Sequence, residues 1–240
     1  MSIPVRFSVL LLCLACVIGG VPEARASELV VLLHGLARSE RSMRPLEEPL
    51  REAGFEVRNL GYPSTKMTPQ ELVGYLEGEL AGCCLAASRL HFVTHSLGGI
   101  LVRAYLAQAA PDNLGRVVML GPPNGGSELV DMLGESQVFE WALGPTATEL
   151  GTGPESLPNR LPAPDFELGV IAGKRKINLV GAAVIPGESD GTVSVASTQL
   201  PGMSDFTIVA SSHTFIMRSE RVARLIVAFL KRGRFTPEEV

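Results

Sequence analysis

Three side chains that could together activate a hydroxyl nucleophile occur along the chain in the order serine, aspartate, histidine. Ser96 lies in the stretch HFVTHSLGGI, Asp190 in PGESDGTV and His213 in ASSHTF. A serine hydroxyl is a weak nucleophile until a base takes its proton and a carboxylate orients that base. These residue types therefore indicate nucleophilic attack on an acyl group through a covalent intermediate.

Ser96 lies where a strand predicted for Leu90–His95 meets a helix predicted for Leu97–Ala110. A sharp strand-to-helix turn would lift the hydroxyl above the carboxyl edge of the sheet and place it at a helix N-terminus. The turn needs small residues two positions before and after the serine. Gly98 meets this need, and Thr94, which replaces the glycine of a G-x-S-x-G pattern, meets it in part. The alternative is a serine that caps an ordinary helix.

His213 is the only histidine downstream of Ser96, and it follows a strand predicted for Phe206–Ala210. Its place after a strand puts it at the carboxyl edge of the sheet, where the serine is also expected. His95 adjoins the nucleophile and cannot turn back to it, and His91 lies inside a strand. His213 is therefore the predicted base.

Asp190 follows a strand predicted for Ile177–Val184, and the glycine after it permits a tight turn. Its alternative role is that of a turn-forming aspartate. Glu188 remains a competitor for the acid. Asp165 falls in an insertion, and Asp205 enters its strand from the amino end, the wrong edge.

Two backbone N–H groups are predicted to stabilise a developing oxyanion. Leu97, directly after the nucleophile, supplies one donor. The loop after the first predicted strand supplies the other, because Gly35 lets the backbone approach closely and leaves the Leu36 N–H free to donate. The alternative is an ordinary glycine turn after a strand.

Continuously apolar runs alternate with amphipathic stretches, which is typical of an α/β fold with parallel strands buried on both faces. The predicted strands are Leu29–His34, Phe55–Leu60, Leu90–His95, Val117–Gly121, Ile177–Val184 and Phe206–Ala210. The predicted helices are Met43–Ala53, Leu97–Ala110, Arg218–Arg232 and one that runs from a capping box at Thr68 to about Ala81. We therefore predict a compact, mostly parallel sheet of about six strands flanked by helices.

The segment 122–173 is rich in proline and glycine and too long for a plain connection. We predict a small lid-like insertion, with disorder as the alternative. A short helix is predicted at Glu128–Leu133, and Phe139 and Trp141 indicate partial order. Its apolar residues could form a lid or pack over the edge of the sheet, so they predict no acyl chain length.

The first 26 residues have the features of a secretory signal peptide. Arg6 precedes an apolar run from Phe7 to Ile18, and Ala24–Ala26 forms an A-x-A cleavage site. We therefore expect a domain of residues 27–240 that is exported to the periplasm or the exterior. The alternative is a lipoprotein anchored through Cys16.

Composition excludes several functional classes. The 240 residues are 46% hydrophobic and carry a formal net charge of -4, which argues against a nucleic-acid partner. No cysteine and histidine spacing indicates a zinc site, and the proposed chemistry requires neither a metal nor an organic cofactor. Cys83 and Cys84 could bond to each other, but we expect two small unbonded residues at a helix end.

The segments VVLLHGLARS, VTHSLGGIL, MLGPPNGGSE, SDGTVSV and SSHTF occur in the order found in α/β-hydrolases. The chain resembles the secreted bacterial lipase and esterase type of that superfamily. The resemblance implies Ser96, Asp190 and His213 as a catalytic triad and Leu36 and Leu97 as oxyanion donors. The chain departs from the family pattern at Thr94, at Pro49 in the first predicted helix and in the small size of its lid.

The resemblance also implies contacts with substrate and a reaction. Substrate contacts are expected from His34, Gly35, His95 and Pro123. The expected reaction is hydrolysis of a small-molecule or lipid carboxylic ester, with transient contact to a membrane or lipid interface. The alternatives are an acyltransferase that uses the same triad with an alcohol acceptor, and a non-catalytic protein that binds lipids or esters.

Overall fold

The structure is a computed structural model that describes residues 27–84, 86–134, 136–177 and 179–235. The predicted signal peptide and the Cys16 anchor lie outside the described residues, so export stays a prediction. Within the described ranges, no helix is both long enough and apolar enough to cross a membrane.

Six parallel strands form one sheet in the order β2-β1-β3-β4-β5-β6. The strands are β1 (Glu28–Leu33), β2 (Glu56–Leu60), β3 (Arg89–His95), β4 (Leu114–Leu120), β5 (Leu168–Gly173) and β6 (Asp205–Val209). The central strands are buried on both faces, as their apolar sequences require. All six point the same way, so their carboxyl ends meet at one edge. The predicted α/β fold with about six strands is confirmed.

Helices cover both faces of this sheet. They are α1 (Glu47–Glu52), α2 (Pro69–Ala81), α3 (Leu97–Gln108), α4 (Glu128–Leu133), α5 (Gln137–Leu143), α6 (Pro145–Thr148), α7 (Leu157–Arg160), α8 (Leu179–Val184), α9 (Val195–Thr198) and α10 (Glu220–Arg232). Helices α2 and α3 pack on one face. Helices α1 and α10 pack on the other, where Phe229 is fully buried.

Several helix limits follow from local sequence. The Thr68 hydroxyl accepts the Glu71 N–H while the Glu71 carboxylate accepts the Thr68 N–H, so the predicted capping box opens α2. Helix α10 ends at Gly233, whose φ of 73° is in the left-handed region. The helix predicted for Met43–Ala53 is broken into a 3-10 turn and α1, in which Pro49 occupies the first turn and removes no intrahelical bond.

The strand predicted for Ile177–Val184 is wrong. Those residues contain helix α8, and the fifth strand is Leu168–Gly173. The predicted insertion at 122–173 includes this strand, so the segment outside the sheet ends at Glu167. Glycine weakens a strand pattern, yet Gly169 is required here because a Cβ on it would lie 2.7 Å from the Phe229 ring.

Cys83 and Cys84 form a disulfide between adjacent residues, just after α2. The expectation of two unbonded residues is therefore wrong. Cys84 is fully buried and belongs to the hydrophobic core between α2 and the sheet. Cys83 is partly buried, so only Cys84 of the bonded pair lies fully in the core.

Candidate active site

Ser96 stands at the sharp turn between β3 and α3, as its sequence context predicts. Its backbone has φ 53° and ψ -121°, and it is one of two non-glycine residues with positive φ in the described part of the chain. A non-glycine residue holds such a conformation only when its surroundings enforce it, and such strain clusters at functional sites. The side chain makes no cap to its own helix, which argues against the helix-capping alternative.

Close packing surrounds the turn at two glycines, against backbone atoms at Gly98 and against side chains at Gly99. A Cβ on Gly98 would lie 2.8 Å from the His34 carbonyl oxygen, so the end of β1 and the start of α3 touch through backbone atoms. A Cβ on Gly99 would lie 3.2 Å from Thr94 Oγ1. The missing side chain at Gly99 therefore makes room for Thr94, the residue that departs from the G-x-S-x-G pattern.

The structure brings the three predicted side chains together in one hydrogen-bonded row. His213 Nε2 lies 3.0 Å from Ser96 Oγ, and His213 Nδ1 lies 2.7 Å from Asp190 Oδ2. Ser96 keeps 9% of its surface exposed and His213 keeps 8%, whereas Asp190 is 1% exposed. The carboxylate is thus withdrawn from solvent, and the serine hydroxyl keeps a narrow opening.

Asp190 is held from several directions. Its Oδ1 accepts the N–H groups of Thr192 and Val193, each at 2.9 Å, and its carbonyl oxygen accepts the His213 N–H at 3.1 Å. The competitor Glu188 is exposed and pairs with Lys174 at 3.5 Å, away from the histidine.

Asp190 reaches the site although it does not follow the strand predicted before it. A Cβ on Gly173, the last residue of β5, would lie 2.8 Å from Asp190 Cβ. The aspartate therefore packs over the carboxyl end of β5 after the chain has passed through α8. The predicted position at the carboxyl edge is right, and the element predicted to supply it is wrong.

One predicted oxyanion donor, Leu97, adjoins the serine in the chain, and the other, Leu36, lies in the loop after β1. Leu97 is the first residue of α3, so its N–H has no intrahelical acceptor. A Cβ on Gly35 would lie 3.1 Å from Ser96 Cβ, so the loop after β1 passes directly beside the nucleophile. In that loop the Ala37 N–H donates to Ser64 Oγ and the Arg38 N–H donates to the Gly35 carbonyl. Oxyanion binding by the Leu36 and Leu97 N–H groups stays a prediction.

The four residues predicted to contact substrate are His34, Gly35, His95 and Pro123, and all are buried in this structure. The His34 ring stacks on Tyr62 with centroids 4.1 Å apart, and its Nε2 accepts the Tyr62 N–H at 3.3 Å. These contacts place His34 beneath the site as a support. Contact of any of the four with substrate stays a prediction.

His95 supports the base directly. Its Nε2 lies 3.0 Å from the His213 carbonyl oxygen, to which it donates, and its ring is 4.6 Å from the His213 ring. Burial lowers the pKa of His95 well below its ordinary value, and the nearby charge of His213 lowers the pKa further. His95 is therefore a neutral donor that fixes the backbone of the His213 loop.

Arg103 links α3, the helix that follows Ser96, to the insertion, and the sequence analysis did not predict this link. The side chain is 3% exposed. Within the described part of the chain, its hydrogen-bond acceptors are carbonyl and amide oxygens rather than carboxylates. Its Nη1 donates to the carbonyl and side-chain oxygens of Asn124, and its Nη2 donates to the carbonyls of Pro158, Leu161 and Pro162. Burial lowers the pKa of Arg103 to about 10, so the side chain remains charged at neutral pH.

This link continues to the loop that carries the acid. The Asn124 amide donates to the Thr198 carbonyl at 2.9 Å, and the Ser127 hydroxyl donates to the Thr192 carbonyl at 2.8 Å. The Thr192 N–H in turn donates to Asp190. A lone arginine inside the apolar helix sequence LGGILVRAYLAQ was the one signal for this arrangement.

The outer part of the insertion is much less enclosed. Helices α4 and α5 contain no buried residue. Val138 and Trp141 are 71% and 87% exposed. Among the described residues, no group of three or more histidine, cysteine or acidic side chains is arranged to hold a metal ion.

Comparison with known proteins places this fold. No family model matches the chain. A lipase of Bacillus licheniformis, BlEst2, is similar in its propeptide form with a TM-score of 0.68 and 19% identity over 91% of this chain and 53% of that chain. The mature form gives a TM-score of 0.61 and 20% identity over 88% and 94% of the two chains.

Phospholipase PlaB from Legionella pneumophila is similar with a TM-score of 0.70 and 18% identity over 87% of this chain. The chain spans 60% of that phospholipase and about half of the propeptide form of the lipase. At these identities the similarity establishes the architecture alone. The chain has the α/β-hydrolase fold.

Proposed function

We propose that this α/β-hydrolase fold carries a serine hydrolase that cleaves carboxylic esters. The observation that carries the proposal is the continuous row of Ser96 Oγ, the His213 ring and Asp190 Oδ2, with separations of 3.0 and 2.7 Å. Both distances lie within the range needed for proton transfer and for orienting the imidazole. The strained backbone of Ser96 supports the same assignment.

In the first half of the proposed reaction, Ser96 Oγ attacks the ester carbonyl while His213 Nε2 takes the hydroxyl proton. Asp190 holds Nδ1–H and stabilises the imidazolium that forms. The Leu36 and Leu97 N–H groups donate to the oxyanion of the tetrahedral intermediate. His213 then gives the proton to the leaving alkoxide, and the acyl group remains on the serine.

In the second half, water takes the place of the alcohol. His213 removes a proton from that water, which attacks the acyl carbonyl, and the proton returns to Ser96 Oγ as the acid is released. The row of side chains supplies every proton transfer in both halves. The scheme requires that His213 contact Ser96 and also the leaving alkoxide and the water that replaces it.

A lid role for the insertion is part of the proposal. Trp141 and Val138 are large exposed apolar side chains on α5, a helix without buried residues, and such a surface fits contact with the acyl chain of a substrate or with a lipid interface. The direct link from Arg103 to Asn124 fixes the base of this insertion beside the triad.

The test uses p-nitrophenyl esters with acyl chains of two to sixteen carbons, together with a fluorophosphonate probe. We expect hydrolysis by the native chain and stoichiometric labelling at Ser96. The Ser96→Ala protein should retain its folded stability and lose both signals. Hydrolysis that survives in Ser96→Ala would contradict the nucleophile, and labelling without hydrolysis of any ester would contradict the substrate class.

A further inference from the structure

Three arginine side chains surround the two residues that follow the proposed base. Arg38 Nη2 donates to Thr214 Oγ1 at 3.2 Å. The Arg218 guanidinium carbon lies 5.3 Å from the centre of the Phe215 ring. Arg175 lines a cavity of about 210 Å³ together with Phe215. We call these three side chains the arginine cluster, and all three are exposed.

The arginine cluster has no carboxylate partner among the ion pairs of the described residues. Other arginines of the chain are neutralised, such as Arg58 by Glu79 and Arg116 by Glu167, both at 3.0 Å. The whole chain carries a formal net charge of -4. A patch of three cations beside the active site is therefore opposite in sign to the chain, and it attracts anions locally.

Apolar surface adjoins these charges. Ile177 and Phe215 line the same cavity as Arg175 and remain 48% and 45% exposed. Guanidinium groups form paired hydrogen bonds with the oxygens of phosphate, sulfate or carboxylate. A surface that combines such donors with exposed apolar side chains matches an amphiphile with an anionic head.

The position of the cluster indicates which part of an ester it meets. His213 must protonate the leaving oxygen, so the alcohol part of the substrate lies on the His213 side of the tetrahedral centre. Thr214 and Phe215 follow His213 directly, and they carry the contacts to Arg38 and Arg218. The cluster therefore flanks the space that the alcohol part enters.

We propose that the arginine cluster and its cavity bind an anionic group, such as a phosphate, on the alcohol part of the ester substrate. This inference rests on the proposed ester hydrolysis for the placement of the alcohol part. It narrows the substrate class to acyl esters of anionic alcohols. The apolar side chains of the cavity contribute contact with the carbon atoms next to the charge.

Binding to the Ser96→Ala protein tests the proposal without turnover. The two ligands are monooctanoyl glycerol 3-phosphate and neutral monooctanoyl glycerol, both below their micelle concentrations, titrated by calorimetry. Since each partly exposed ion pair contributes modestly, we expect the anionic ligand to bind about tenfold more tightly at low ionic strength. The preference should shrink as sodium chloride is added, because salt screens exposed charges.

A charge variant and a matched control locate the effect. The triple variant Arg38→Gln, Arg175→Gln and Arg218→Gln should reduce the affinity ratio of the two ligands to about one. The control removes three exposed cations near the amino edge of the sheet, with the substitutions Arg89→Gln, Lys231→Gln and Arg234→Gln. It has the same net charge as the triple variant and should keep the native ratio.

Each outcome separates this inference from the proposed function. Equal affinities for the two ligands, or a preference that persists in the triple variant, would overturn the inference. Inorganic phosphate that binds as tightly as the anionic ester would also overturn it, since the apolar cavity would then contribute nothing. A preference that needs the arginine cluster, in a chain that hydrolyses no ester, would support the anion site and reject the proposed hydrolysis.

Discussion

The ends of β3 and β5 carry buried, hydrogen-bonded side chains, whereas helices α4 and α5, which follow the neighbouring β4, expose their apolar residues. Asp190 is 1% exposed and receives two backbone N–H groups and the His213 ring. Trp141 is 87% exposed on a helix without a buried residue. Two segments that start at the same edge of the sheet are therefore held very differently.

The proposed function explains this difference between the two regions. Proton transfer requires separations of about 3 Å, which only side chains fixed by packing and hydrogen bonds maintain. A surface that adapts to apolar ligands needs exposed area and little packing. Arg103 joins the two regions, because its side chain extends from α3 and donates hydrogen bonds to Asn124 and Pro158 at the base of the insertion.

The largest effect is expected at the catalytic edge itself. Replacement of Asp190 with asparagine should lower kcat by about 10⁴-fold, because an amide no longer holds the imidazole in the required tautomer. Ester hydrolysis under substrate saturation measures this change. Asp165→Asn, at an exposed aspartate outside the row, should stay within about twofold of the native rate. An Asp190→Asn protein with a tenth of the native kcat would contradict the assigned role.

Loss of the link between the two regions should have the next largest effect. Arg103→Met keeps the length of the side chain but leaves five acceptor oxygens without their donor, three of them in buried hydrogen bonds. We therefore expect the free energy of unfolding to fall by about 3 kcal/mol. Urea denaturation measures the change. The free energy of unfolding of Arg103→Lys should lie between the values for the native chain and Arg103→Met, because a single ammonium group cannot reach all of the same acceptors.

The matched control for Arg103 is Arg160→Met in α7, an exposed arginine that pairs with Glu149 at 3.1 Å. Exposed pairs contribute between about 0 and 1 kcal/mol, so this variant should remain near native stability. Equal losses in the two variants would show that the buried position of Arg103 carries no special weight.

A pH effect should arise from the three buried histidines whose pKa values are lowered in the folded chain. Burial lowers the pKa of His34, His91 and His95 below the ordinary value of 6.5. The unfolded chain then binds more protons than the native chain as the pH falls below about 6.5. The native stability should therefore be complete above that pH and decline in acid, by up to about 1.4 kcal/mol per pH unit for each histidine.

His95→Gln tests this sign. Glutamine can still donate to the His213 carbonyl but takes up no proton. The decline in the free energy of unfolding between pH 6.5 and 5 should therefore become shallower by the contribution of one histidine. Measurement at pH 8 gives the difference in the free energy of unfolding that the substitution causes independently of histidine protonation. Parallel curves for the native chain and the variant would show that His95 does not titrate differently on folding.

The smallest effect is expected on the outer insertion helices. Trp141→Gln should change the free energy of unfolding by less than about 0.5 kcal/mol, because the side chain has little packing to lose. It should leave four-carbon ester hydrolysis unchanged and weaken hydrolysis of sixteen-carbon esters. Leu150→Ala, at a buried residue of the same insertion, should instead lose about 2–3 kcal/mol. A similar stability loss in both variants would remove the contrast between the regions.

The sequence by itself determined the features that depend on neighbouring residues. The turn at Ser96 follows from a strand, small residues and a helix within about ten positions, and the capping box at Thr68 spans four. The predicted order of serine, acid and histidine named the three side chains that the fold brings into one row, although Asp190 reaches the carboxyl edge only after helix α8. Parallel strands bring such positions to a common edge whatever their separation along the chain.

Tertiary structure alone decided the features whose partners lie far apart. Gly169 weakens the strand pattern of β5 in the sequence, because the reason for this glycine is the Phe229 ring, about sixty positions away. In the sequence, Arg103 is an isolated charge in an apolar helix. In the fold, oxygens from residues 21 to 59 positions away surround its guanidinium group. The arginine cluster likewise forms only where the segments that follow β1, β5 and β6 come together. No local pattern encodes these contacts, because they depend on which backbone atoms and side chains the folded sheet brings within a few ångströms.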